Sequence, residues 1–227
     1  MIRSKAVSRI QQILGFRTDM EVESIEALME AQEDAEAGEM GFLPYFLRAT
    51  ASYNLAPQEI LLRLPDDFIR EYDHEKYALW FSGGVGPAVR LPYVAPDRAG
   101  ELMSERQSYW IDGQDIRLTY RIQESLNAEY LYYKFDEKLT EDSSENGWLK
   151  YGSKYMIGSA GRKLAGIMNK NSLEMFDRMM LEGKDLILRQ DTAFRMGTRK
   201  PQFGQGLDRD YRDSDYLGVE NDRDLGD

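Results

Sequence analysis

The chain has 227 residues and a formal charge of −11, enough for one sizeable domain with appendages or two small ones. The lack of cysteine rules out disulfides, thiolate metal sites and a cysteine nucleophile, and a lone His74 rules out a multi-histidine metal cage. No apolar run approaches the ~20 residues that span a bilayer, and no charged-then-apolar leader follows Met1, so no membrane partner is expected.

The charge is unevenly placed. Residues 19–39 carry nine acids and no base; residues 208–227 carry eight acids and three arginines. Within the rest, residues 148–200 hold eleven bases against five acids. A polarised molecule of this kind favours complementary contact between copies or with partners. No basic stripe interleaved with aromatics is present, so sequence-specific nucleic-acid binding is not expected. An acidic surface beside DNA would repel it, which suits a place where DNA slides past.

Residues 2–14 place Ile2, Ala6, Ile10 and Ile13 or Leu14 on one helical face, with Gly15 as the stop. Residues 21–37 predict a second helix, with Val22, Ile25, Leu28 or Met29, and Ala35 on its apolar face. Its acids, Glu23, Glu26, Glu30 and Glu33 among them, line the other face. Residues 41–47 (GFLPYFL) form an apolar plug in which Pro44 opposes helix.

The period then changes. Residues 48–55 and 59–64 read as two strands around an Ala-Pro-Gln turn, and residues 68–72, 77–81 and 88–94 as further extended pieces. A helical turn is expected within residues 95–103. Between the alternating runs 108–112 and 115–122, Asp112-Gly113 is a hairpin signal, because its tight turn needs positive φ. Residues 127–135 (NAEYLYYKF) are an aromatic strand. Helical spacing returns as one helix over 148–168 and another that carries Leu173, Phe176, Met180, Gly183, Ile187 and Phe194 and is capped by Asn171. Gly158 and Gly161 sit inside a helix where glycine costs about 1 kcal/mol relative to alanine, so they mark a close approach by another backbone. The β-domain or another subunit would supply that backbone.

Residues 201–227 are rich in Gly and Asp, with no helical or strand period. Too little apolar surface is available to offset ordering, so this arm takes a shape only against another chain. Its spaced anchors are Phe203, Leu207, Tyr211, Tyr216, Leu217 and Leu225. The expected class is α+β: helix pairs in 1–47 and 146–200 form a helical bundle, 48–145 is an inserted antiparallel β-rich domain, and 201–227 is an extended C-terminal arm.

Three chemical readings are weak. Ser82-Gly83-Gly84-Val85-Gly86 lacks the Gly-Lys-Ser/Thr ending of a phosphate loop, and Pro87 leads into a strand. Asp213-Ser-Asp215 begins like a calcium loop, but Leu217 replaces a ligand and Asp224 stands where a bidentate Glu is needed. Paired carboxylates abound, yet nothing separates a buried acid from a solvated partner as a glycosidase requires. No cofactor, metal or catalytic residue is expected.

Several motifs in this order resemble the head-to-tail adaptor proteins of tailed bacteriophages, the short-tailed kind in particular. They are Leu43-Pro44-Tyr45-Phe46-Leu47, then Leu64-Pro65-Asp66-Asp67-Phe68-Ile69-Arg70-Glu71-Tyr72, then Tyr109-Trp110-Ile111-Asp112-Gly113 leading to Ile116-Arg117-Leu118. Tyr130 to Tyr133 and Asn146-Gly147-Trp148-Leu149 complete the set, and the similarity spans roughly residues 3–195. The glycine stretch at 82–87 and the acidic arm depart from the family. The resemblance implies a non-enzymatic virion subunit, assembled in the host cytoplasm. Its homo-oligomeric ring, a dodecamer, sits beneath the portal protein, extends the DNA channel and presents a platform for a tail nozzle or hub. DNA passes through its lumen without specific binding. The rival expectations are a tail-associated peptidoglycan-degrading enzyme or another ring component of the tail.

Overall fold

Helices flank two antiparallel sheets in an α+β chain, described by a computed structural model over residues 1–72, 78–82, 89–98, 107–168 and 170–198. Helix α1 (Arg3–Ile13) buries Ala6, Val7 and Ile10. It ends where Gly15 takes φ +91°, a left-handed conformation that glycine adopts without a Cβ clash. Helix α2 (Glu21–Glu36) follows a 3₁₀ turn at Thr18–Met20. Its buried stripe is Ser24, Ala27, Leu28, Ala31, Gln32, Ala35 and Glu36, which keeps Leu28 and Ala35 of the expected face, with Ile25 packed at its edge, and leaves out Val22. Val22 is 64% exposed, because two residues before Ser24 lies about 200° round the helix axis.

A second correction concerns strand partners. β1 (Arg48–Leu55) and β2 (Leu61–Arg63) do not pair across the Ala-Pro-Gln turn. β1 lies along β8 (Leu126–Lys134) in a register running from Arg48 opposite Tyr133 to Leu55 opposite Leu126. The turn, with Gln58 at φ +72° and its N–H donated to the Ile122 carbonyl, carries the chain to the other sheet. There β2 pairs with β7 (Asp115–Leu118), which also pairs with β6 (Tyr109–Asp112).

β8 is the centre of the larger sheet. β1 covers one edge; β4 (Leu79–Ser82) and β3 (Phe68–Glu71) lie end to end on the other. β5 (Val89–Leu91) pairs with the far side of β4. The β6–β7 hairpin closes through Gly113 and Gln114, with φ +64° at Gly113, the Gly-first pattern of a type II′ turn. Asp112 is the last paired strand residue, opposite Asp115, and its carboxylate bonds Arg117 at 2.9 Å.

The expected helix over 148–168 is interrupted. α3 (Gly147–Tyr151) and α4 (Ser153–Met168) break at Gly152, where a Cβ would lie 2.9 Å from Ile187 Cδ1. The break admits that side chain. Asn146 caps α3 by accepting the Leu149 N–H at 3.0 Å. α5 (Lys170–Thr198) runs back along α4, and Asn171 lies inside it rather than at its cap.

Two cores result, and β8 divides them. Leu131 and Tyr133 face the helices, whereas Ala128, Tyr130 and Tyr132 face the three-stranded sheet. This is the side-to-side alternation of a strand buried on both faces. The central strand of the β region is therefore a wall of the helical core. No helix among the described residues is long and apolar enough to cross a membrane.

Candidate assembly surfaces

The acidic face of α2 is partly occupied by its own chain. Glu23, Glu26, Glu30 and Glu33 are all exposed, as the helical spacing requires. Lys163 on α4 bonds Glu30 at 3.2 Å and also Asp34, and Lys138 lies 3.6 Å from Glu33. Burial works against the Lys163 ammonium, but its bonds to Asp34 and Glu30 outweigh that and raise its pKa. Among the described residues Glu23 and Glu26 have no such partner, so the open part of the face is the N-terminal half of α2. Exposed Val22 adjoins it. Glu36 leaves the face altogether and turns inward, only 5% exposed.

The long helix α5 has an apolar flank as well as a core side. Phe176 and Ile187 are buried, with Asp191, whereas Leu181 and Leu188 are 61% and 46% exposed. Seven residues apart, these two leucines share one side of the helix, the spacing that a packed partner helix uses. Met175 and Leu186 are also exposed.

Close helix packing sets where α5 lies. A Cβ at Gly158 would stand 2.7 Å from Met180 Cα, and one at Gly183 would stand 2.6 Å from Tyr155 Cα. Gly161 faces the Phe176 ring, which fills the space a side chain would need. The backbone that approaches Gly158 thus belongs to α5 of the same chain, and not to the β region, while what Gly161 meets is a side chain of that helix.

Two buried polar groups pin these elements together. Glu36 Oε1 accepts from Trp148 Nε1 at 2.9 Å, Gln32 Nε2 at 3.0 Å and the Asp136 N–H at 3.1 Å. Asn146 completes the knot, donating to Gln32 Oε1 at 3.0 Å and to the Glu137 carbonyl at 2.8 Å. Burial raises the Glu36 pKa, and the three donors oppose that rise. The second group is Arg48, whose guanidinium lies 3.5 Å from Asp191 and stacks over Tyr72 at 4.2 Å and Phe194 at 5.2 Å. It fastens β1 to the distal half of α5, where Phe194 also stacks on Tyr45. The Glu36 knot is closed by protein groups, whereas Arg48 Nε and Nη2 are buried without a hydrogen-bond partner, held by the Asp191 charge and the flanking rings.

A groove of about 520 Å³ opens between α1 and the start of α4. Lys5 and Arg9, one helical turn apart on α1, form one wall; Lys154 stands on the other, paired with Glu182. Met179 adds apolar surface, and Ser4, Ser8 and Ser153 supply hydroxyls.

Asp112 and Gly113 lie at the hairpin as expected. His74, the glycine stretch at 83–87 and the anchors Phe203, Leu207, Tyr211, Tyr216, Leu217 and Leu225 lie outside the described residues. The sequence reading missed the two polar knots. One signal was available: Asp191 continues the 176, 180, 183, 187 spacing of the apolar stripe on α5, and an acid there requires a buried cation. No family model matches the chain, and no curated protein matches it significantly.

Proposed function

We propose that this chain is a structural subunit of a phage head-to-tail adaptor, forming a ring below the portal that continues the DNA channel and receives a tail nozzle or hub. On this reading the helices around α4 are the bundle, the β region is the inserted domain, and the arm 201–227 engages the portal or a neighbouring copy. The ring is a dodecamer within the virion.

The observation that carries the reading is the flank of α5. Leu181 and Leu188 leave a long, firmly seated helix with an unused apolar stripe, and repeated subunit contact is the role that stripe fits. The open acids Glu23 and Glu26 agree with it, as a repulsive lumen or as the partner of a basic neighbour. A closed ring also needs a rigid subunit, since an angular error at each heterologous contact accumulates. The shared strand β8 and the two polar knots supply that rigidity.

The test is to mix the purified chain with portal rings and image the product. A ring of the chain coaxial with the portal is expected, and Leu181→Asp with Leu188→Asp should abolish it. Failure of the wild-type chain to attach overturns the reading, as would turnover of purified peptidoglycan that is lost on changing one carboxylate.

A further inference from the structure

We infer that the groove between α1 and α4 receives the acidic segment 213–222 of a neighbouring copy. The inference rests on the ring reading above and names a contact that would build it. The groove and the segment are matched in charge and in pattern. Lys5, Arg9 and Lys154 line the groove and no carboxylate does; Lys154 is paired with Glu182, whereas among the described residues Lys5 and Arg9 have no ion-pair partner. Segment 213–222 reads DSDYLGVEND: two acids, an apolar centre of Tyr216, Leu217 and Val219, then two acids, with no base. Tyr216 and Leu217 fit the apolar surface of Met179, while the flanking carboxylates meet the cationic walls.

The arm is long enough to reach its own groove or a neighbour's, and the neighbour is the choice that builds a ring. Met179 belongs to the groove, and α5 then runs on for nineteen residues, about 28 Å, before Thr198. The end of α5 therefore stands well clear of its own groove. Fifteen further residues lead to Asp213, an extended reach of up to about 50 Å. A tail of one copy held by a groove of the next is a heterologous contact, the kind that generates rings. Its ionic part weakens at high salt, because exposed charges are screened over about 8–10 Å.

The experiment measures self-association of the full-length chain by sedimentation at low salt. Lys5→Glu with Arg9→Glu, and separately Asp213→Lys with Asp215→Lys, should each weaken association by about tenfold, since like charges then face one another. Lys5 and Arg9 are exposed, so an unchanged melting temperature will verify that the groove variant is folded. A one-to-one mixture of the two variants should recover association, because each reversed partner then finds its complement on the other chain. Unchanged association of the groove variant overturns the inference, as does a wild-type chain that stays monomeric throughout. Recovery only when all four changes share one chain also overturns it, since the arm then folds back on its own groove. Portal-bound rings that persist with the groove variant would remove this contact alone and leave the adaptor reading standing.

Discussion

In the helical core the buried polar groups point inward: Glu36, Gln32 and Asn146 meet at the ends of α2 and α3, and Asp191 meets Arg48 beneath α5. In the β core the rings go in and the hydroxyls reach the rim. Tyr109 and Tyr130 donate to Glu71 at 2.6 and 2.9 Å, and Tyr132 donates to Asp67 at 2.8 Å. The inward groups mostly serve side chains and loop backbone between elements, and Asn146 also takes the Leu149 N–H that the first turn of α3 leaves unpaired, whereas strands satisfy one another along the sheet. The two cores also differ in how they fill space. Glycines let α4 and α5 touch backbone to backbone, while tyrosines fill the gap between the sheets.

The largest effect tests the glycine contact. Gly158→Val should cost about 3 kcal/mol or more by urea denaturation, because the new side chain meets the Met180 backbone, which cannot turn aside. In the same helix Gly166 has nothing within 4 Å of an added Cβ, so Gly166→Ala should instead stabilise by about 0.5–1 kcal/mol. Equal losses at both positions would remove the claim that close approach, rather than flexibility, selects glycine here.

Next comes the inward polar knot. Trp148→Phe keeps most of the ring but deletes one donor to Glu36, and should cost about 2 kcal/mol. The pH dependence is specific. Burial holds the Glu36 carboxyl above its ordinary value of 4.5, so its contribution is complete below pH 4.5 and is lost as pH rises through the folded value. Glu36→Gln should flatten that fall, and Trp148→Phe should steepen it. A wild-type stability that rises across this window, with the fall unaltered in both variants, would contradict the assignment.

The hairpin of the β core should be less sensitive. No atom stands within 4 Å of a Cβ at Gly113, so the only obstacle there is φ +64°. Gly113→Val should lower stability by about 1–2 kcal/mol and Gly113→Asn by distinctly less, since Asn tolerates positive φ better than a β-branched residue does. Matching melting temperatures for the two variants would show that the turn is not held as described. Smallest of all, Glu23→Lys with Glu26→Lys should change monomer stability by less than about 0.5 kcal/mol, because both side chains are open. If the chain is the adaptor subunit proposed above, assembly yield with portal rings should nevertheless fall, and a variant with normal yield would leave that face without a role.

The charge map and the local periods were legible in the sequence, down to particular residues. Exposure of Glu23, Glu26, Glu30 and Glu33 follows from helical spacing, and the turn at Gly113 from one glycine between alternating runs. The groove was not legible, because Lys5 and Lys154 meet only after α1 settles on α4. Nor was the inward turn of Glu36, which depends on donors from Trp148 and Asp136, a hundred or more residues away.

By itself the sequence determined the α+β order, the faces of α1 and α5, the aromatic strand β8 and the hairpin, since each rests on contacts a few residues apart. Tertiary structure decided the partner of β1, the break at Gly152, the orientation of α2 and the identity of the backbone against Gly158. Pairing β1 with β8 closes a loop from Leu55 to Leu126, and its stability comes from the eight-residue register and the two faces that β8 then buries. Such energy exists only once distant surfaces meet, so no local period announces it.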